Sequence, residues 1–101
     1  MQRAQPSDAD ANGVDATLRG LLVEVLGLPP RRVAGFDADT ALFGALPEFD
    51  SMAVATLLTG LEERLDIMIE DDDVEAEDFM TFGRLLAFAE RKVLARPANP
   101  L

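Results

Sequence analysis

The residues best placed to do chemistry lie in one run, Glu48-Phe49-Asp50-Ser51-Met52, between a stretch rich in Gly and Pro and an amphipathic segment. A serine or aspartate at such a junction ordinarily caps a helix. The same position also suits a phosphoester on the serine, because first-turn N–H groups and the positive end of the helix dipole would face the anion. On these residues alone both readings stay open. The chain has no histidine and no cysteine, so the commonest general base, the thiol nucleophile and the usual zinc ligands are all missing. If a thiol works here, it must come from an attached group. Without those side chains a nucleophile–base pair could come only from scattered carboxylates, so no catalytic residue and no enzyme activity is expected. Asp71, Asp73, Glu75 and Asp78 invite a calcium reading. A loop counted from Asp71, however, puts Ala76 where an EF-hand needs glycine and Phe82 where it needs glutamate. No dedicated metal site is expected.

The elements that must position Ser51 are legible as apolar periodicity. Val14, Leu18, Leu21, Leu22 and Val25 form one stripe, with Asn12 as a candidate N-cap and Gly27-Leu28-Pro29-Pro30 as a stop. Residues 27–50 read as a long but ordered connection, pinned by Phe36, Leu42, Phe43 and Leu46, with Asp39-Thr40 capping a short turn through Phe43. A second helix begins near Asp50-Ser51 and buries Val54, Leu57, Leu58, Leu61 and Leu65, with Ile67 and Ile69 buried beyond its end. Gly60 inside it costs about 1 kcal/mol relative to alanine. One or two short helical turns are expected over the acidic 70s. Thr81 then caps a last helix carrying Phe82, Leu85, Leu86, Ala89 and Val93. The spacing predicts an all-α, four-helix bundle of three longer helices and one short one, with a long loop between the first and second. The expected organisation is a disordered leader over 1–11, the bundle over 12–95 and a flexible tail over 96–101.

Charge is unevenly spread. The 101 residues carry a formal charge of −10. From Glu62 to Asp78 there are ten acids and one base, Arg64, and the remaining residues hold nine acids and eight bases. Such a balance argues against nucleic acid and against an anionic membrane surface. It fits basic protein partners, or a face that only keeps the protein solvated. No run of about 18 apolar residues exists to span a membrane. Met1 to Gly13 has no apolar stretch of the secretory kind, so the expected compartment is the cytoplasm. The lack of cysteine fits a reducing one.

With these elements in place, the chain resembles the acyl carrier protein family, whose signature is Asp-Ser-Leu at the start of the second helix. Here the run is Asp50-Ser51-Met52, followed late in the same helix by Glu62-Glu63 and then by Leu65-Asp66-Ile67-Met68-Ile69. The likeness extends over roughly residues 14–93. It implies that Ser51 accepts 4′-phosphopantetheine from coenzyme A through a separate phosphopantetheinyl transferase, and that acyl groups ride on the arm as thioesters. Asp50 would help the transferase engage the serine, and Met52 would replace the usual leucine as an apolar contact. Ala53, Thr56, Glu62 and Glu63 would face partner enzymes along the helix. An acyl-loading ligase or synthase is the implied partner class, in a lipid, polyketide or polysaccharide-modification pathway, and a monomer is expected.

Three features depart from the family pattern. Ala53, Thr56 and Thr59 are neutral where fatty-acid carriers usually place acids, Gly60 is unexpected within the helix, and Asp71 to Phe79 is about two residues longer than the common pattern. Two other readings remain beside the acyl carrier. One is an aminoacyl or peptidyl carrier with a standalone ligase. The other is an unmodified helical interaction module in which Asp50-Ser51 is only a cap.

Overall fold

The three apolar stripes become three long helices, which the computed structural model describes within residues 6–96. Helix α1 spans Pro6–Leu26, α2 Pro30–Ala34, α3 Ser51–Leu65 and α4 Phe82–Leu94. Two 3-10 turns, Asp71–Asp73 and Ala76–Phe79, lie between α3 and α4. The fold is an all-α bundle, with no strand among the described residues and a single isolated bridge between Ala41 and Thr81.

Helix α1 is the central element. It packs against α2, α3 and α4 through Val14, Leu18, Leu21, Leu22 and Leu26, all buried. Val25, expected in the stripe, is only half-buried, and Leu26 fills the core instead. Gly27 ends the helix with φ 71° and donates to the Val23 carbonyl at 2.9 Å, the left-handed cap that its sequence implied. The start differs from expectation. Helical backbone begins at Pro6 rather than Asn12, so residues 6–11 are not a disordered leader and Asn12 is not the cap. Proline suits a first helical position, where its missing N–H costs nothing, and alanines at 9 and 11 propagate the helix well. The remaining leader, residues 1–5, lies outside the described residues.

Gly60 has a reason that its own helix does not supply. A Cβ there would lie 2.6 Å from Leu21 Cδ2, so the glycine lets α3 approach α1 closely. The propensity cost inside α3 is offset by the packing this approach allows.

The long connection is ordered by two devices. Arg19 on α1 lies 4.4 Å from the centre of the Phe82 ring and donates to the carbonyls of Val33 at 2.7 Å and Phe36 at 3.1 Å, while also bonding Asp15. The second device is a short backbone pairing with the approach to α4. Leu42 donates to Met80 (2.8 Å), Phe43 to Phe79 (2.9 Å), Phe82 to Thr40 (2.9 Å) and Gly83 to Ala38 (3.0 Å). The turn before it is closed by the side chains of Asp37 and Thr40, and Asp39 contributes only its N–H. The Asp37 carboxylate accepts from Asp39 N at 2.9 Å, and Asp37 N donates to Thr40 Oγ1 at 2.8 Å.

Thr81 caps α4 as its sequence implied, accepting from Arg84 N at 3.2 Å. Phe88, outside the expected stripe, is fully buried, whereas Leu86 is only half-buried. Beyond α3, Ile67 is buried and Ile69 only half-buried. Arg96, expected at the head of a flexible tail, donates to the Leu65 carbonyl at 2.8 Å and ties the end of α4 to α3. Residues 97–101 lie outside the described residues.

Candidate functional site

Asp50, not Ser51, is the cap of α3. Its carboxylate accepts from Ala53 N at 2.9 Å, and its carbonyl accepts the first helical bond from Val54 N at 2.9 Å. That division of labour leaves Ser51 as the first residue of the helix, exposed. Its hydroxyl has no hydrogen-bond partner among the described residues, and it stands on the first turn, at the positive end of the helix dipole. Phe49, one residue before the cap, is buried and fixes the entry of the chain. Its ring makes edge-to-face contacts with Phe43 at 5.9 Å and Phe79 at 6.1 Å, a favoured aromatic geometry.

Beside Ser51 opens a groove of about 220 Å³ lined by Phe43, Val54, Ala76 and Phe79. Its walls come from the long loop, α3 and the second 3-10 turn. Aromatic residues 43 and 79 were readable from the sequence only as core material. No local pattern could show that they meet at Ser51, because non-adjacent segments bring them there.

The segment carrying Ala76 and Phe79 is where the acids concentrate, and the structure shows what they do. The Asp73 carboxylate accepts from Lys92 Nζ at 2.7 Å and from Glu70 N at 2.8 Å. The Lys92 bond, then the Glu70 N–H, holds the Asp73 carboxyl below its ordinary pKa. Asp78 accepts from Glu75 N at 2.8 Å, and Glu77 accepts from Arg84 through its carbonyl at 3.2 Å and its carboxylate at 3.4 Å. Each 3-10 turn is therefore closed by its own acid and tethered to α4 by a cation. Among the described residues no group of three or more acids is arranged to hold a metal ion.

Of the residues expected along the partner-facing side of α3, Met52, Thr56 and Glu63 are exposed, Met52 at 76%. Ala53 is not available. It is only 7% exposed, turned toward the core on the side shared with Leu57 and Leu61. The sequence placed it next to Ser51, but helical rotation carries it to the other face. Glu62 is also engaged otherwise. Its carboxylate accepts from Ile69 N at 2.8 Å and holds the chain after α3. Glu24 on α1 pairs with Arg64 on α3, and this bond raises the Arg64 pKa.

The residues present fit a phosphopantetheine ester. An exposed hydroxyl stands at the positive end of a fifteen-residue helix, with its cap supplied by a neighbour, and an apolar groove runs alongside for an arm. The phosphopantetheine attachment site family matches residues 16–89. The chain belongs to this family. The solution structure of a holo acyl carrier protein from Nitrosomonas europaea is 40% identical, with a TM-score of 0.71, over 80% of this chain and 95% of that one. A comparison with curated proteins gives no match. The protein is a phosphopantetheine-bearing carrier: the covalent arm supplies the thiol that the polypeptide lacks, and the bundle supplies the anchor. Among the described residues no helix is long and apolar enough to cross a membrane.

Proposed function

We propose that Ser51 is the attachment site and that the arm carries acyl groups as thioesters between partner enzymes. The observation that carries this reading is the Asp50–Ser51 arrangement: a capped helix start with an exposed, unengaged serine hydroxyl beside an apolar groove. Asp50 holds the first turn in shape through Ala53 N–H, which keeps Ser51 presented to an incoming transferase. The groove walls of Phe43, Val54 and Phe79 favour an acyl arm over a polar aminoacyl one, because apolar surface is the only contact they offer. The polypeptide itself acts as carrier and not as catalyst. Loading and use of the acyl group belong to a ligase or synthase in the cytoplasm, and the flexible arm raises the effective concentration of the cargo at each of them.

The test is intact-mass analysis after incubation with coenzyme A and a broad-specificity phosphopantetheinyl transferase. Wild type is expected to gain one phosphopantetheine and Ser51→Ala none. Because Asp50 holds the cap, Ser51→Ala should stay within about 0.5 kcal/mol of wild-type stability. Modification of the alanine variant would sink the assignment.

A further inference from the structure

We propose that this carrier takes only short acyl chains, of up to about eight carbons, and that Phe49 sets the limit by closing the groove beside Ser51 against the core. This rests on the reading of Ser51 as the attachment site and of the arm as an acyl carrier.

The groove opens at the serine. Ser51 lies on its edge, and the other lining residues, Phe43, Val54, Ala76 and Phe79, offer no charged or hydrogen-bonding side chain. A flexible arm rooted at that edge can fold back and lay the first carbons of its cargo against them. At the base the cargo meets a cluster of rings. Phe49 is 2% exposed and does not line the groove. Its ring nevertheless contacts both walls, Phe43 at 5.9 Å and Phe79 at 6.1 Å, at interplanar angles of 82° and 88°. Phe49 therefore stands behind the walls, where the groove would otherwise continue into the apolar core cluster to which it belongs.

The rings cannot step aside one by one. Phe43 N donates to the Phe79 carbonyl at 2.9 Å and Leu42 N to that of Met80 at 2.8 Å, which joins the two aromatic walls through the backbone. Phe49 N donates to the Leu46 carbonyl at 3.0 Å, and the next residue, Asp50, is fixed as the cap of α3. Swinging one ring out would leave a void in a close-packed interior, which is costly. The room left is small. The groove holds about 220 Å³, and a methylene takes roughly the 30 Å³ share of a water molecule, which leaves space for about seven carbons beyond the thioester carbonyl. Longer chains would leave their ends in water, where added methylenes gain nothing from the protein.

The test loads the full chain directly, using coenzyme A thioesters from acetyl to tetradecanoyl and a broad-specificity phosphopantetheinyl transferase, with each product verified by intact mass. Each Tm is compared with that of the same variant carrying the bare arm, which removes the variant's own stability from the reading. For wild type, Tm should rise by at least about 2 °C for each two-carbon step up to octanoyl, and by less than about 1 °C in all from octanoyl to tetradecanoyl. Phe49→Ala should carry the rise on to at least decanoyl, because the missing ring opens room for about three more carbons. Val54→Phe, at a half-buried wall position, fills the groove and should abolish the rise at every length. It keeps the test decisive if Phe49→Ala fails to fold. The proposal is overturned by a wild-type Tm that keeps climbing to tetradecanoyl, that ignores chain length, or that rises equally in Val54→Phe. A folded Phe49→Ala protein whose plateau stays at octanoyl also overturns it. A wild type that gains no mass, or a Ser51→Ala variant that does, overturns the attachment reading instead.

Discussion

The first half of α3 and the segment from Glu70 to Asp78 lie on either side of the groove beside Ser51, and they are built in opposite ways. The helix segment carries no charge and is held by burying one face, Ala53, Leu57 and Leu61, against α1 and the core. The other segment carries seven acids in nine residues and buries none of its own side chains; its anchor is the next residue, Phe79. Its order is borrowed from Lys92 and Arg84 on α4 and from the backbone bonds that Leu42 and Phe43 make to Met80 and Phe79. The difference shows how one site obtains both a firm platform and a charged border. Apolar periodicity supplies the rigid helix that presents the serine. The acids are kept out of that surface and confined to a wall that needs outside cations to stay in place.

The comparison is most severely tested at Phe79, the one aromatic anchor of the acidic wall. Phe79→Ala should cost about 3–5 kcal/mol in chemical denaturation, as for other buried aromatic truncations. A loss below about 1 kcal/mol would mean that the wall is held by its ion pairs after all. Next comes the buried side of α3. Ala53→Asp should destabilise by about 1–3 kcal/mol because a carboxylate there must be desolvated, whereas Thr56→Glu with Thr59→Glu should stay within about 0.5 kcal/mol per site. Equal effects would show that the two faces are not distinct.

Smaller effects should follow from the tether. Lys92→Met is expected to speed amide exchange in residues 71–79 while leaving α1 and α3 protected, and uniform protection would contradict the borrowed-cation account. The smallest effect concerns acid. The unfolded Asp73 takes up its proton near the ordinary value of 3.8, and the native one only at lower pH, first because of Lys92 and then because of the Glu70 N–H. Between those values the unfolded chain binds more protons, so stability rises with pH there. The contribution is fully present above the unfolded value and is lost as pH falls through the native one. Asp73→Asn should flatten that part of the acid limb in denaturant titrations at successive pH values, and an unchanged limb would count against the tether.

Much of this was legible without coordinates, for a local reason. Helix stripes, the stop at Gly27, the cap at Thr81 and the junction at Asp50-Ser51 are each decided by residues within a few positions of one another, where periodicity and capping act. Residues whose role depends on a partner far along the chain were misread or missed. Ala53 looked like a neighbour of Ser51 on its surface, and Glu62 like a free acid, until helical rotation buried one and Ile69 engaged the other. Gly60 looked like a flaw in α3 until Leu21 stood against it. Arg19 gave no sign that it would clamp the loop at Val33 and Phe36. By itself, then, the sequence determined the three long helices, though not α2 at Pro30–Ala34, and placed Ser51 at the start of its helix. Only the tertiary structure decided which side chains share a groove or a face with that serine. The reason is physical: capping and amphipathicity act over a turn or two of chain, whereas a groove or an ion pair exists only once distant segments have paid their ordering entropy and come into contact.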